Sequence, residues 1–563
     1  MTRHVFAIVG GGIAGLRISI FLKRLFPEWR IVLLEQGKRV GGRIYTHRET
    51  VGGEEVAVES GAGRIGMKQE RVMKLLARYG LQEKLIPISN EVDIRRGAIG
   101  GSTRSATAII KDLPEATSSF LWGSRLAGGS IEERVREYIG EAEAKTVRYE
   151  FEYDSEIVAT DSAVAVETIV NTFRGKFAVL GGGLDQLTKA MEEDARKSGV
   201  EIHTRIKVVS IHTRHDTRLS ETHRKKHQTD VDADVRADGE SLFLRCKHLD
   251  TEKTSVLHAR GVVVATPIQS LRKLLGGVVS EARVERLYGP SQLTAQPLLR
   301  IYAKFPTTKG KDSKGGTSWF SGVGKVATRK GIRYFLPVDA SRGIAMVSYT
   351  DGAEAYAWES VRKEHGEDAA KRMLLEQLRE LFPEKEIPPP EWFRMEFWKE
   401  GAHYWTPGAD LRMKTMRERI HPNTEIPLYV TGEVISPLNQ AWVEGALEMA
   451  EETANVISEG VDIDTRFDFD RFVSVKPTFG ENTTTFQIKT DPDMRLISFS
   501  VYRFDNTTNE FVPAVTPGIR RRLINDKYKE DLRGASIKIY AVIEDTTRLV
   551  LDKELVKTIH LFH

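Results

Sequence analysis

The stretch "VFAIVGGGIAGLRISIFLKRLFPEWRIVLLEQ", close to the start of the chain, constrains the fold more than any other feature. An apolar run around Phe6, Ile8 and Val9 reads as a buried strand. Leu16, Ile20, Leu22, Leu25 and Phe26 then recur near helical spacing until Pro27 stops the helix. Ile31 to Leu34 make a second buried strand, closed by Glu35. Between strand and helix, Gly10, Gly12 and Gly15 fit G-x-G-x-x-G. The first glycine permits a tight turn, the second lets the backbone approach a pyrophosphate, and the third lets helix and strand pack closely. Glu35, at the end of the second strand, is placed to accept ribose hydroxyls. Strand, turn, helix, strand and acid in this order predict a dinucleotide-binding α/β unit.

The remaining chain is too long for one core, since 563 residues call for two to four structural units. Hydrophobic content of 40% and charged content of 29% describe a globular protein, and a net charge of +4 argues against an extended nucleic-acid surface. No run approaches the roughly 18 apolar residues of a membrane span. The chain enters a strand directly after "MTRH", which leaves no space for a secretory signal, and Cys246 is its single cysteine. A disulfide framework within the chain is thereby excluded, and the expected location is cytoplasmic.

Residues 67–175 read as mostly helical, with the loop "RRGAIGGSTRSATA" inside them. The stretch 213–240 is almost wholly polar and reads as an exposed insertion. From 298 to 400 strands and a helix alternate. Beyond about 463, short alternating runs such as "LISFSVYRF" and "ASIKIYAVI" predict a small, mostly β module.

Directly after Glu35 comes "QGKRVGGRIYT". It resembles the flavin-containing amine oxidase superfamily, whose hallmark is an acid followed by x-x-x-R-x-G-G-R-x-x-T. Glu35, Arg39, Gly41, Gly42, Arg43 and Thr46 satisfy it. The resemblance implies that Arg43 offers forked donors to the pyrophosphate. Where the family often carries arginine two residues after the acid, this chain has Gly37, and Lys38 is the residue that would supply the charge. Four further stretches extend the likeness over about residues 4–458: "LGGGLDQLTKAM", "RIKVVSI" with Val208 at the adenine, "GVVVATPIQSL", and "LYVTGEVIS…QAWVEGALEMA". The last resembles the closing FAD motif, with Gly432 and Glu433 at the ribityl hydroxyls and Trp442 and Val443 at the flavin ring. The implied cofactor is FAD, held noncovalently, because the segment where some relatives attach flavin through cysteine reads "EGAHYW" here.

The fold class that follows is α/β. A Rossmann-like FAD-binding domain is assembled from 1–66, 176–290 and 425–460. An α+β substrate-binding and helical domain comes from 67–175 and 291–424, and the β-rich module occupies 463–563. The implied chemistry is oxidative deamination of an L-amino acid. Hydride leaves the α-carbon for flavin N5, the imine hydrolyses, and O2 reoxidises the flavin to give H2O2.

"VESGAGRIG" carries the substrate cue. It resembles the flavin-facing turn in which amino-acid oxidases clamp the α-carboxylate with arginine, here Arg64 following Gly61 and Gly63. The alternative is that Arg64 pairs with Glu59 or a flavin phosphate. In "QPLLRIYAKFP", Arg300 occupies the place of a lysine that relatives bridge through water to N5, and arginine does not readily release a proton. Trp442 matches one aromatic wall beside the ring. Counting from Gly401 puts His403 at the other, with Tyr404 or Trp405 taking it after a shift of one or two residues.

Other readings remain open at this point: a polyamine or monoamine oxidase, an amino-acid 2-monooxygenase, and a flavin-binding structural or interaction protein without catalysis. The sequons at Asn482 and Asn506 and the basic segment "PGIRRRLINDKYK" carry no catalytic signature. The module 463–563 is read as an oligomerisation or protein-docking element, with no nucleic-acid or membrane partner.

Overall fold

The computed structural model describes residues 5–88, 93–95, 104–113, 128–151, 153–172, 176–213, 242–309, 316–328 and 331–460, together with the backbone of seven strands between 473 and 560. The chain divides into two compact units, residues 1–453 and 454–563.

The first unit is organised around a five-stranded sheet in the order Leu428–Val430, Gly261–Val264, Val5–Val9, Arg30–Leu34, Glu201–His203. All four pairings are parallel, with Ile8 beside Val263 on one flank and Leu33 on the other. Runs such as "FAIV", "IVLL" and "GVVV" are buried throughout, as befits a parallel sheet covered on both faces. The helix Ile13–Leu25 begins at Gly12 and ends one residue before Phe26, with Lys23 donating to the carbonyls of Pro27 and Trp29 at 2.7 Å each. Gly15 is needed where this helix meets the first strand: a Cβ there would lie 1.9 Å from the Gly10 carbonyl oxygen.

A three-stranded antiparallel sheet and a mixed six-stranded sheet flank the site. Ile206–Thr213, Leu242–His248 and Thr254–Ala259 form one, in which Cys246 faces Val208 across the ladder and is buried. The other has six strands in the order Trp392–Trp405, Leu293–Lys304, Ile344–Asp351, Tyr334–Asp339, Val326–Thr328, Asp93–Arg95. Its core packs Phe305, Phe320, Phe335 and Phe382 with Trp358 and Leu374; the helices Gly352–His365 and Glu367–Leu381 supply the last two, and Phe382 caps the second helix.

The stretch read as helical holds six helices among its described residues, from Glu70–Arg78 to Ser162–Thr172. Ile131–Tyr138 starts with a capping box in which the Ser130 hydroxyl and Glu133 carboxylate satisfy each other's backbone amides. Most of the polar insertion, 214–240, and the glycine loop 96–103 lie outside the described residues. So do Asn482 and Asn506, and of the basic segment only Asn525–Tyr528 is described, as a strand.

The described part of the chain from 473 onward is entirely β. Val473–Phe479, Thr484–Thr490 and Asn525–Tyr528 make one antiparallel sheet. Glu510–Pro513, Met494–Asp505, Ser536–Asp545 and Lys553–His560 make another. Among the described residues, no helix is long and apolar enough to cross a membrane.

Candidate active site

A cavity of about 1100 Å³ opens where the parallel sheet's glycine turn meets the six-stranded sheet. That volume lies just above the usual range of ligand pockets, roughly 300–1,000 Å³. At one end the wall is the opening motif: Gly10, Gly12, Glu35, Lys38, Gly42 and Arg43. Glu35 ties this end together, accepting the Gly11 amide on Oε2 at 2.7 Å and the Gly37 amide on Oε1 at 2.6 Å. The spacing predicted the acid's position, and the structure adds that it braces the turn. It also explains Gly37, where a Cβ would crowd Glu35 Oε1 at 3.0 Å. Gly12 behaves differently, because a Cβ built on it meets nothing within 4 Å and points into open space. Val208 lines the cavity beside this end.

Farther along, Gly61, Gly432, Glu433, Trp442 and Val443 share the wall. Gly61 admits no side chain, since a Cβ would sit 1.8 Å from the Arg43 carbonyl oxygen. Glu433 is the hub. Its Oε1 receives Arg43 Nη2 at 2.6 Å and lies 2.5 Å from His403 Nδ1. Its Oε2 accepts the amide of Ala441 at 2.9 Å, which pins that residue in a left-handed conformation, φ 63°. Burial works against the carboxylate's charge, but Arg43, His403 and the Ala441 amide hold its pKa far below the usual range. Arg43 therefore spends donors on Glu433 and on the Gly401 carbonyl (2.9 Å), besides facing the cavity.

His403 is not on the cavity wall. It is fully buried behind Glu433, with Nε2 3.2 Å from the Ile268 amide and 3.9 Å from Glu400 Oε1. Burial lowers its pKa, yet the two carboxylates outweigh it and leave the pKa raised. Tyr404 is also buried away from the cavity, and Trp405 is anchored by its indole to the Ser436 carbonyl at 2.9 Å. Their strand carries a bulge: Gln296 pairs with Ala402 while Leu298 pairs with Trp398, so residues 399–401 stand opposite Pro297 alone, and Trp398, Glu400 and Gly401 all reach the wall.

Tyr45, Trp442, Trp398 and Tyr349 are the aromatic residues on the wall. Trp398 donates to the Ser60 carbonyl at 2.6 Å, and Tyr349 stands beside Arg300 across the ladder. Sequence reasoning passed over both, together with Glu400. The available signal for Trp398 was its place two residues before Glu400 in "FWKEG"; Tyr349 depends on a long-range pairing with no local trace.

Arg300 lines the cavity, donating to the Glu59 carbonyl at 2.8 Å. Arg64 does not line it. Its guanidinium stacks on Phe177 (4.7 Å), Trp442 (5.4 Å) and Tyr153 (5.6 Å), and donates to the Tyr153 hydroxyl at 2.8 Å. Glu59 turns to Thr46 and the Leu184 amide, and burial raises its pKa. Gly63 packs on Glu59, and Gly15 lies behind the turn; neither is on the wall.

The cavity suits FAD. The hydroxyls of Ser60, Thr266 and Thr431 are buried along it with no hydrogen-bond partner among the described residues. Together with the open space over Gly12, they form a long polar cradle that this chain's own side chains leave unfilled.

A family model for flavin-containing amine oxidoreductases matches residues 151–458, and one for an NAD(P)-binding Rossmann-like domain matches residues 8–79. The flavin-dependent L-tryptophan oxidase RebO of Lentzea aerocolonigenes is 24% identical over 505 residues, covering 80% of this chain and 98% of the relative. Among solved structures, a putrescine oxidase double mutant redesigned in its cofactor binding aligns with a TM-score of 0.57 at 15% identity. That alignment spans 81% of this chain and 99% of the other, and it speaks to the fold alone.

Proposed function

The chain belongs to the flavin-containing amine oxidoreductase family, a flavoenzyme with FAD as cofactor, and from that premise we propose that it deaminates an L-amino acid. FAD supplies the redox chemistry when bound, accepting hydride from the substrate's α-carbon and passing the electrons to O2. Gly10, Gly12, Glu35, Val208 and Arg43 would hold its adenosine and pyrophosphate, and Glu433 with Ala441 its ribityl side, without a covalent bond because Cys246 is off the cavity. The protein's own work is orientation and exclusion of water. Trp398, Trp442 and Tyr349 wall the cavity with rings, and Arg43 and Glu433 neutralise each other at its middle.

The observation that carries the amino-acid reading is the pair of guanidinium groups at this aromatic end. Arg300 is on the wall, and Arg64 stacks against the wall residue Trp442. A cationic, ring-walled compartment favours an amine that also bears an anion over a diamine. The name of the tryptophan oxidase relative agrees with that preference.

Aerobic turnover tests the proposal. An L-amino acid should yield ammonia, 2-oxo acid and H2O2 in equal amounts. Oxygen consumption with carboxylate-free amines alone would refute it, and an amide product with CO2 would make the enzyme a monooxygenase instead.

A further inference from the structure

Arg300 is a cation on the cavity wall that forms no ion pair among the described residues. It lies mid-strand in Leu293–Lys304, opposite Tyr349 on one neighbouring strand and Glu396 on the other. Residues directly opposite across an antiparallel ladder share a face, as do positions two apart. Leu298, Arg300, Tyr349 and Trp398 accordingly meet on the side of the sheet that lines the cavity.

The partners Arg300 has are neutral. Nη1 donates to the Glu59 carbonyl, and the guanidinium lies over the Tyr349 ring, 4.7 Å from its centroid. Two neighbouring carboxylates direct their hydrogen bonds elsewhere, Glu59 acting on Arg300 only through space. Glu396 is held by Arg394, whose Nε is 2.5 Å away. Glu59 gives its carboxylate to Thr46 and Leu184. Among the described residues Arg300 makes no ion pair. The other arginines of the cavity are spoken for. Arg43 is paired with Glu433, and Arg39 donates to the carbonyls of Val40, Gly42 and Ile44.

A guanidinium has five N–H donors in a fixed fork, and carboxylate is the group that fork matches. Holding it half-buried without a counter-ion costs stability unless an anion arrives. Arg64, by contrast, is held off the wall by Tyr153, Phe177 and Trp442.

We infer that Arg300, rather than Arg64, is the anchor for the substrate's α-carboxylate. The inference rests on the amino-acid reading above. It places a fixed positive charge between Tyr349 and the Glu59 carbonyl, so that the bound amino acid lies along the face formed by Leu298, Trp398 and Tyr349. Arg64 is then a positioning residue that keeps Trp442 in its stack with Phe177, whose ring centroid is 6.0 Å away.

The test uses the FAD-loaded full chain as wild type, Arg300→Gln, Arg300→Lys and Arg64→Gln. Calorimetry measures the binding of 3-phenylpropanoate, which has the carboxylate without the amine, and of phenethylamine, which has the amine without the carboxylate. Arg300→Gln should weaken 3-phenylpropanoate roughly 10- to 100-fold and leave phenethylamine within about threefold, with flavin content unchanged. Arg300→Lys should restore part of the loss. Equal weakening of both probes would overturn the inference, since Arg300 would then act through the cofactor or the fold. Unchanged carboxylate binding in Arg300→Gln with its loss in Arg64→Gln would also overturn it, while leaving the amino-acid reading intact. A wild type that binds phenethylamine but not 3-phenylpropanoate would sink both.

Discussion

Glu433→Gln is the substitution whose consequences the structure defines most fully. The carboxylate is 5% exposed and joins four parts of the chain: Arg43 after the second strand, His403 in the long strand, Ala441 before the last helix, and its own turn. Glutamine has nearly the same shape, so packing is preserved and the charge alone is lost. Its amide accepts on one side only, so either the two donors on Oε1 or the Ala441 amide on Oε2 face an NH2 group instead, at roughly 1.5–3 kcal/mol per charge-assisted contact. Arg43 is 30% exposed and recovers part of its solvation, which keeps the total near about 3 kcal/mol rather than the upper range for a broken buried pair. Because Ala441 and Gly432 line the cavity, part of that loss should appear in cofactor affinity, about tenfold for each 1.4 kcal/mol. Thermal melts of the cofactor-free protein and fluorescence of released flavin read the two effects separately. If the variant melts with the wild type and its FAD dissociation constant stays within about threefold, Glu433 is not the hub described here.

Other expectations are as specific. Gly12→Ala, whose Cβ meets nothing, should leave the melt of the cofactor-free protein unchanged while weakening FAD at least about tenfold. Gly15→Ala should instead destabilise the fold itself by about 1–3 kcal/mol or more; matching melts for the two variants would refute the distinction. Asp351 accepts the Asp154 and Ser155 amides while buried, and burial pushes its pKa up to about 6. That value is above the unfolded one of about 3.9, so its contribution to stability is full below pH about 4 and falls away as pH rises through 6. Asp351→Asn, which never ionises, should gain about 1.4 kcal/mol on the wild type between pH 5 and pH 8 in denaturant titrations. A pH-independent difference would contradict this.

What was legible in the sequence was local. The glycine turn, the helix after it and Glu35 lie within one strand–helix–strand stretch, and turn chemistry and apolar periodicity specify such a stretch without reference to the rest of the chain. The FAD frame followed because its motifs are contiguous runs. The aromatic end of the cavity is a different matter, because strands distant in sequence build it through their register. The pairing of Arg300 with Tyr349 spans 49 positions and has no sequence signal. The bulge opposite Pro297 is equally silent, and it brings both Trp398 and Gly401, an even and an odd position of one strand, to the cavity, while His403 lies behind Glu433. Arg64, expected at a flavin-facing turn, lies off the cavity wall in an aromatic box that draws on Tyr153 and Phe177, about 90 and 110 residues away.

The most direct test of the central claim is anaerobic mixing of the FAD-loaded protein with matched pairs, each an L-amino acid and the amine that lacks its carboxylate. The account predicts that flavin absorbance bleaches with the amino acid at saturable rates and little or not at all with its amine. Bleaching by the amines alone, or by no amino acid in a full set, would contradict it.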